Sequence, residues 1–261
     1  MLEVVTVNTL AEAQPMMGPR ARLLAGGTLV MRALNYGDQR FDRILRVREP
    51  LQDIRGDGNR VVIGAGVTMS GIVASRDLGF LAPAARAVGG PAVRNMATVG
   101  GNLCAPHPYG DLTVALLALE GQAIMADGMI RPLADFLADR QGLVRAVSIL
   151  RPSGDVFRFR KVSRVKPKGV SVLSMAAHLN RSAGRLSDVR IAYGAMGGGP
   201  RRVPAVERAL EGASLDAAGI APALAAATDG LDPPTDALAS SWYRREVAPV
   251  HLRRLLLGED T

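Results

Sequence analysis

Two glycine pairs stand about seventy residues apart in the chain. One lies in Leu24-Ala25-Gly26-Gly27-Thr28, which continues into Leu29-Val30; the other lies in Ala97-Thr98-Val99-Gly100-Gly101-Asn102. Each follows a short apolar run that reads as a strand, and each closes on a small polar residue. Glycine has no Cβ, so a backbone built from it can come directly against an anion. Successive N–H groups aimed into one concavity make a nest suited to phosphate. Two such turns would grip the two phosphates of a dinucleotide from opposite sides. Thr28 and Thr98 would add hydroxyl donors, and Asn102 either ties its own turn together or bonds the ligand.

Little else in the chain has the spacing of a reactive site. The run Val61-Val62-Ile63-Gly64-Ala65-Gly66 approaches a G-x-G-x-x-G fingerprint, but Met69 stands where the third glycine belongs. No acidic residue ends a second strand roughly twenty residues on, so this reads as a strand-to-helix turn with packing glycines. Cys104 is the one cysteine, which excludes an internal disulfide and a cluster held by four cysteines of this chain. It reads as a small packed residue. His107, in Pro106-His107-Pro108, reads as loop surface, and His178 as a packed strand residue. No Ser-His-Asp set and no metal-ligand spacing stands out.

The 261 residues suffice for a large core and two domains. Aromatics are 4% of the chain, too few for the stacking platforms of a nucleic-acid binder. The net charge of +8 comes from scattered arginines rather than a basic tail. It fits an Arg-rich surface or an acidic, phosphate-bearing ligand. No apolar run reaches the eighteen or so residues of a membrane span. Met1-Leu2-Glu3 lacks the charged and apolar regions of a signal peptide. With a single cysteine, a reducing, cytoplasmic location is expected.

The elements that would position the turns follow from local patterns. Val4 to Val7 reads as a strand, and Thr9 with Glu12 as a capping box opening a short helix. Arg22 to Ala25 is a strand feeding the first glycine turn, with Thr28 capping a helix from Leu29 to Leu34. A strand at 44–47 and Pro50 close this unit. After 61–66, Thr68 or Ser70 caps a helix, and another helix spans about 83–88. Asp111 to Leu119 is almost wholly apolar and reads as a buried helix with Asp111 at its N-cap. Strands are expected at 123–125 and 144–150. Beyond Arg151-Pro152-Ser153-Gly154 come strands at 156–162, 170–179 and 189–196, then helices at 205–210, 215–228 and 240–257, with a kink at Pro249. Three meandering strands followed by three helices is an α+β pattern, which sets a boundary near residue 153.

The segment Val93-Arg94-Asn95-Met96-Ala97-Thr98-Val99-Gly100-Gly101-Asn102-Leu103 closely resembles the second FAD-binding motif of the molybdenum hydroxylases, the xanthine dehydrogenase, carbon monoxide dehydrogenase and aldehyde oxidase enzymes. The order of motifs is similar to that of their FAD-binding medium subunit over some 200 residues. It runs through Ala25-Gly26-Gly27-Thr28, Ile63-Gly64-Ala65, the segment above, Pro106, Pro108, Gly110 and Asp111, Lys161-Val162-Ser163-Arg164, Arg190-Ile191-Ala192-Tyr193-Gly194, and Arg202 with Glu207. The resemblance implies FAD as cofactor, held by Leu24, Ala25, Gly26, Gly27, Thr28, Leu29 and Val30 and by Thr98, Gly100, Gly101 and Asn102. It implies that Asp111 accepts from ribose or ribityl hydroxyls, the alternative being a helix cap alone. Lys161 is expected near the flavin ring, the alternative being a solvent-exposed lysine. The chain departs from the pattern at Lys166-Pro167-Lys168, where many members carry an acidic residue, and at Ala105, where one position supplies a hydroxyl.

The implied fold is α+β. A PCMH-like FAD-binding domain would occupy 1–153, with subdomains of about 1–52 and 53–153, followed by a C-terminal domain of a three-stranded antiparallel sheet and three helices at 154–261. The implied function is electron transfer through FAD, with no catalytic or metal-binding residue on this chain. The implied partners are a small subunit carrying two [2Fe-2S] clusters and a large molybdopterin subunit, often as a dimer of heterotrimers. A free-standing FAD oxidoreductase and a non-catalytic assembly subunit are the alternatives.

Overall fold

The computed structural model describes residues 2–154, 156–165 and 169–259. The departure at Lys166-Pro167-Lys168 lies outside the described residues. The first layer is a three-stranded parallel sheet of β1 (Glu3–Val7), β2 (Ala21–Leu23) and β3 (Arg43–Val47), ordered β1-β3-β2. Parallel neighbours need crossovers, here carried by α1 (Leu10–Ala13) and α2 (Val30–Asn35). Thr9 caps α1 as its sequence requires, accepting from Glu12 N–H. Thr28 does not cap α2: Leu29 holds the N-cap position without a side-chain bond. The Thr28 hydroxyl is therefore not used in capping the helix.

The second sheet is antiparallel, ordered β4-β5-β8-β6-β7, with β4 (Ile54–Asp57), β5 (Arg60–Gly64), β6 (Gln122–Met125), β7 (Ile130–Pro132) and β8 (Val144–Leu150). Helices α3 (Met69–Ala74), α4 (Ala82–Arg86), α5 (Pro91–Met96), α6 (Val99–Leu103), α7 (Asp111–Ala118) and α8 (Leu133–Asp139) belong to this part of the chain. The strand expected before the second glycine pair is instead α5. Pro91 opens that helix at a position where a missing N–H costs nothing. Asp111 is the first residue of α7 rather than its cap; Gly110 caps it at φ +105°, which favours glycine.

The third sheet, ordered β14-β13-β10-β9, is antiparallel. Its three long strands, β9 (Phe157–Ser163), β10 (Ser171–His178) and β13 (Arg190–Gly194), match the expected runs. A hairpin of β11 (Arg181–Ser182) and β12 (Arg185–Leu186) lies between β10 and β13, and the two-residue β14 (Arg201–Arg202) joins the edge. Helices α9 (Pro204–Leu210), α10 (Ala221–Ala225) and α11 (Ser241–Leu257) follow. The middle helix is far shorter than expected, because Asp216 makes an Asx-type turn to Ala218 and Gly219 within the proposed span. α11 runs its full length through Pro249.

Every residue of α7 is buried, because α7 lies between layers and packs on β10 and β13 as well as on α4 and α6. This is why its sequence is apolar on all sides rather than along one stripe. β10 is buried over its whole length for the same reason, with α7 on one side and α11 on the other. Two large apolar cores result, one around α7 and the second sheet, the other beneath α9 to α11; a smaller one lies under the first sheet.

α11 is anchored by Arg244, which has no exposed side-chain surface. Its guanidinium donates to both oxygens of Asp236 at 3.0 and 2.9 Å, to Val172 O at 3.1 Å, to Ala239 O at 2.9 Å and to Pro234 O. Burial raises the Asp236 carboxyl, but Arg244, the Leu238 and Ala239 amides and His107 outweigh it and hold the group at about 2. The folded value lies below the ordinary 3.8, so the contribution is fully present above that value and is lost as pH falls through about 2. The melting-temperature gap between wild type and Asp236→Asn is expected to be constant above about pH 5 and to shrink towards pH 2. A gap that widens in acid contradicts this.

Candidate functional site

The first glycine turn leaves β2 through a last ladder bond, Leu24 N–H to Leu45 O at 2.8 Å. The next backbone donor in the chain is Met31, to Gly27 O at 2.8 Å. Among the described residues, the N–H groups of Ala25, Gly26, Gly27, Thr28, Leu29 and Val30 donate to no protein acceptor. The last of these amides open the first turn of α2, where N–H groups have no intrahelical partner, and the preceding glycine turn extends the run of free donors at a partly exposed surface. Gly27 sits at φ +71°, the left-handed conformation that bends the turn.

The second glycine segment is built differently. It is the start of α6, with Thr98 as the N-cap accepting from Gly101 N–H at 3.1 Å. Val99 N–H donates to Val67 O, Gly100 N–H to Ala65 O and Asn102 N–H to Thr98 O, each at 2.9 Å. Its amides are thus satisfied internally. Gly101 is exposed, and an added Cβ there would meet only Thr98 Oγ1, at 3.1 Å. Asn102 is buried and ties its own surroundings together: its Oδ1 accepts from Thr113 N–H and Thr113 Oγ1, both at 3.1 Å.

The two segments touch. A Cβ on Gly26 would lie 1.6 Å from Met96 O and 3.2 Å from Ala97 Cα, so Gly26 is the point where one turn rests on the other's backbone. The loop from Cys104 to Gly110 borders the pair. Arg140 donates to the carbonyls of Cys104 and Ala105 at 3.2 Å, and Arg32 of α2 donates to Tyr109 Oη at 2.7 Å. His107 reaches Asp236 at 3.4 Å, with a cis peptide bond to Pro108.

Below this loop, Asp111 and Lys161 form a buried pair at 2.7 Å, with side chains 9% and 11% exposed. Lys161 Nζ also donates to Ala87 O at 2.7 Å, and Ser171 Oγ donates to the other Asp111 oxygen at 2.5 Å. Lys161 is therefore not a solvent-exposed lysine.

A family model described as FAD binding domain in molybdopterin dehydrogenase matches residues 1–149, and one described as CO dehydrogenase flavoprotein C-terminal domain matches residues 158–258. The chain belongs to this molybdopterin dehydrogenase flavoprotein family. Its cofactor is FAD. It is 27% identical to the glyceraldehyde dehydrogenase medium chain of Sulfolobus acidocaldarius, over 94% of each chain. It is 28% identical to the carbon monoxide dehydrogenase medium chain of Afipia carboxidovorans, over 91% of this chain and 88% of that one. Its fold matches the carbon monoxide dehydrogenase of Hydrogenophaga pseudoflava with a TM-score of 0.87 at 24% identity, covering 98% and 96% of the two chains.

In this molybdopterin dehydrogenase flavoprotein, sequence reading missed Arg32, Tyr109, Arg140 and Ser171, all of which shape the loop or the buried pair. No local signal marks them, since each acts on a residue far along the chain. The Met96 carbonyl that receives Gly26 was equally invisible. The remaining histidine expectation is met: His178 is buried and its Nδ1 lies 3.3 Å from Arg190. Burial and that guanidinium push its imidazole below the ordinary value. Among the described residues no cluster of metal-ligating side chains is present and no helix is long and apolar enough to cross a membrane.

Proposed function

We propose that this chain is the electron-transfer subunit of a cytoplasmic molybdopterin-dependent dehydrogenase, with FAD seated where the two glycine segments meet. The observation that carries this reading is the run of six amides, Ala25 to Val30, without a protein acceptor. Aligned N–H donors of that kind fit the FAD pyrophosphate. The exposed Gly101 backbone supplies close approach from the other side, and the Thr98 hydroxyl, whose oxygen already accepts, keeps its proton for the ligand. Asp111 retains acceptor capacity beyond its two bonds and lies at the start of the helix that follows the bordering loop, suited to ribose or ribityl hydroxyls. FAD supplies the redox chemistry; the chain binds it, orients it and sets its surroundings.

In this reading a large molybdopterin subunit oxidises the organic substrate and a small subunit relays electrons through two [2Fe-2S] clusters to the flavin. The flavin delivers them to an external acceptor, and the heterotrimer forms a dimer. Relatives named as medium chains and FAD-binding subunits of glyceraldehyde, xanthine and carbon monoxide dehydrogenases support it. The FAD-binding domain is assigned to 1–153, in two subdomains, and the C-terminal domain to 154–261.

Anaerobic mixing tests the relay. The isolated, FAD-loaded chain is mixed with glyceraldehyde, xanthine, carbon monoxide and nicotine in turn, then with dithionite. The flavin absorbance is expected to persist with all four and to bleach only with dithionite. Bleaching by an organic substrate at catalytic speed replaces the relay with a free-standing oxidoreductase.

A further inference from the structure

The lysine expected beside the flavin ring has its ammonium bonded to protein acceptors. Two of the three donors of Lys161 Nζ are engaged, one by Asp111 Oδ2 and one by Ala87 O, both at 2.7 Å. Ser171 holds the other carboxylate oxygen at 2.5 Å, and is itself 1% exposed. Lys161 lies on β9 and Ser171 on β10, whereas Asp111 opens α7 just after the loop that borders the glycine segments. Two strands of the third sheet thus fix one carboxylate of the region that carries the cofactor. The Lys161 ammonium, itself tethered to Ala87 O, and the Ser171 hydroxyl each hold a different oxygen of Asp111.

We propose that Lys161 and Ser171 are positioning residues that act on FAD through Asp111, so that cofactor affinity depends on the third sheet being docked against α7. This rests on the reading that Asp111 meets FAD hydroxyls. A carboxylate whose two oxygens are each held by one donor keeps lone pairs that accept hydroxyl hydrogens, which is what a ribityl or ribose contact needs.

A double-mutant cycle on FAD affinity separates action through Asp111 from direct contact. Calorimetric titration of the stripped chain with FAD is run on wild type, Lys161→Met, Asp111→Asn, Ser171→Ala and the combinations with Asp111→Asn. Lys161→Met and Asp111→Asn are each expected to weaken FAD by roughly tenfold or more, and Ser171→Ala by a few-fold. The doubles are expected to bind no more weakly than Asp111→Asn alone. Melting of the FAD-free chain follows a different pattern, since removing one partner strands a buried charge while removing both does not. The Lys161→Met/Asp111→Asn chain should therefore melt higher than Lys161→Met. If Lys161→Met does not fold, the Ser171 cycle carries the same test. Losses that multiply in the doubles overturn the inference and put Lys161 on the flavin itself. FAD affinity unchanged in Asp111→Asn while wild type binds FAD also overturns it. A wild type that binds no FAD overturns the functional reading from which it starts.

Discussion

Gly26→Ala is expected to strip the chain of bound FAD. The new methyl carbon would stand 1.6 Å from Met96 O and 2.5 Å from Met96 C, and both are backbone atoms that no rotamer change can move. The two glycine segments must then separate, and the contact of Gly26 with Met96 and Ala97 that holds them together is lost. Overpacking of this kind costs about 1–3 kcal/mol of stability. The larger effect falls on the ligand, whose two phosphates need both segments at once. Flavin released by acid precipitation should drop from about one per chain to below a tenth of that, while Gly18→Ala, which meets nothing within 4 Å, leaves it unchanged. Retention of a full flavin complement by Gly26→Ala would show that the contact between the segments does not shape the cofactor site.

Arg244→Met is expected to be the most destabilising charge removal in the chain. It leaves Asp236 without its arginine partner and removes a donor from the carbonyls of Val172, Pro234 and Ala239, of which Ala239 O keeps the Asp236 N–H, at a side chain with no exposure. Breaking a buried pair by removing one partner costs about 3–5 kcal/mol. The neighbouring Arg245 pairs at 3.5 Å with a fully exposed Asp232, so Arg245→Met should change stability by no more than about 1 kcal/mol. Urea unfolding of the two variants compares them directly. Equal losses would mean that burial of the Arg244 network contributes nothing.

The glycine pairs were legible in the sequence because their chemistry is local: a missing Cβ says where a backbone can approach something. What they approach was legible only in part. Gly26 turned out to meet another stretch of the same chain, and the second pair turned out to begin a helix. α5 and α6 are six and five residues long, less than two turns each, too short for hydrophobic spacing to announce them. Thr98 and Pro91 were the available signals, one a cap and the other a first-turn proline. The long strands of the third sheet and the buried α7 were legible because their apolar runs were bounded by turn residues. Thr28 failed as a cap for a reason no window of sequence contains, namely that its turn stays outside the helix. The Lys161–Asp111–Ser171 contact and the Arg32–Tyr109 bond link residues 50 to 77 positions apart, and only the folded chain brings them together.

In the proposed site the free amides of Ala25 to Val30 hold the FAD pyrophosphate, with the second glycine segment in close approach. Calorimetric titration of the stripped chain with FAD, then with FAD in the presence of ADP or of riboflavin, addresses this most directly. One FAD per chain is expected, with ADP competing because it carries the diphosphate, and riboflavin failing to compete at the same concentration because it carries none. Riboflavin binding as tightly as FAD, with ADP without effect, would contradict the claim.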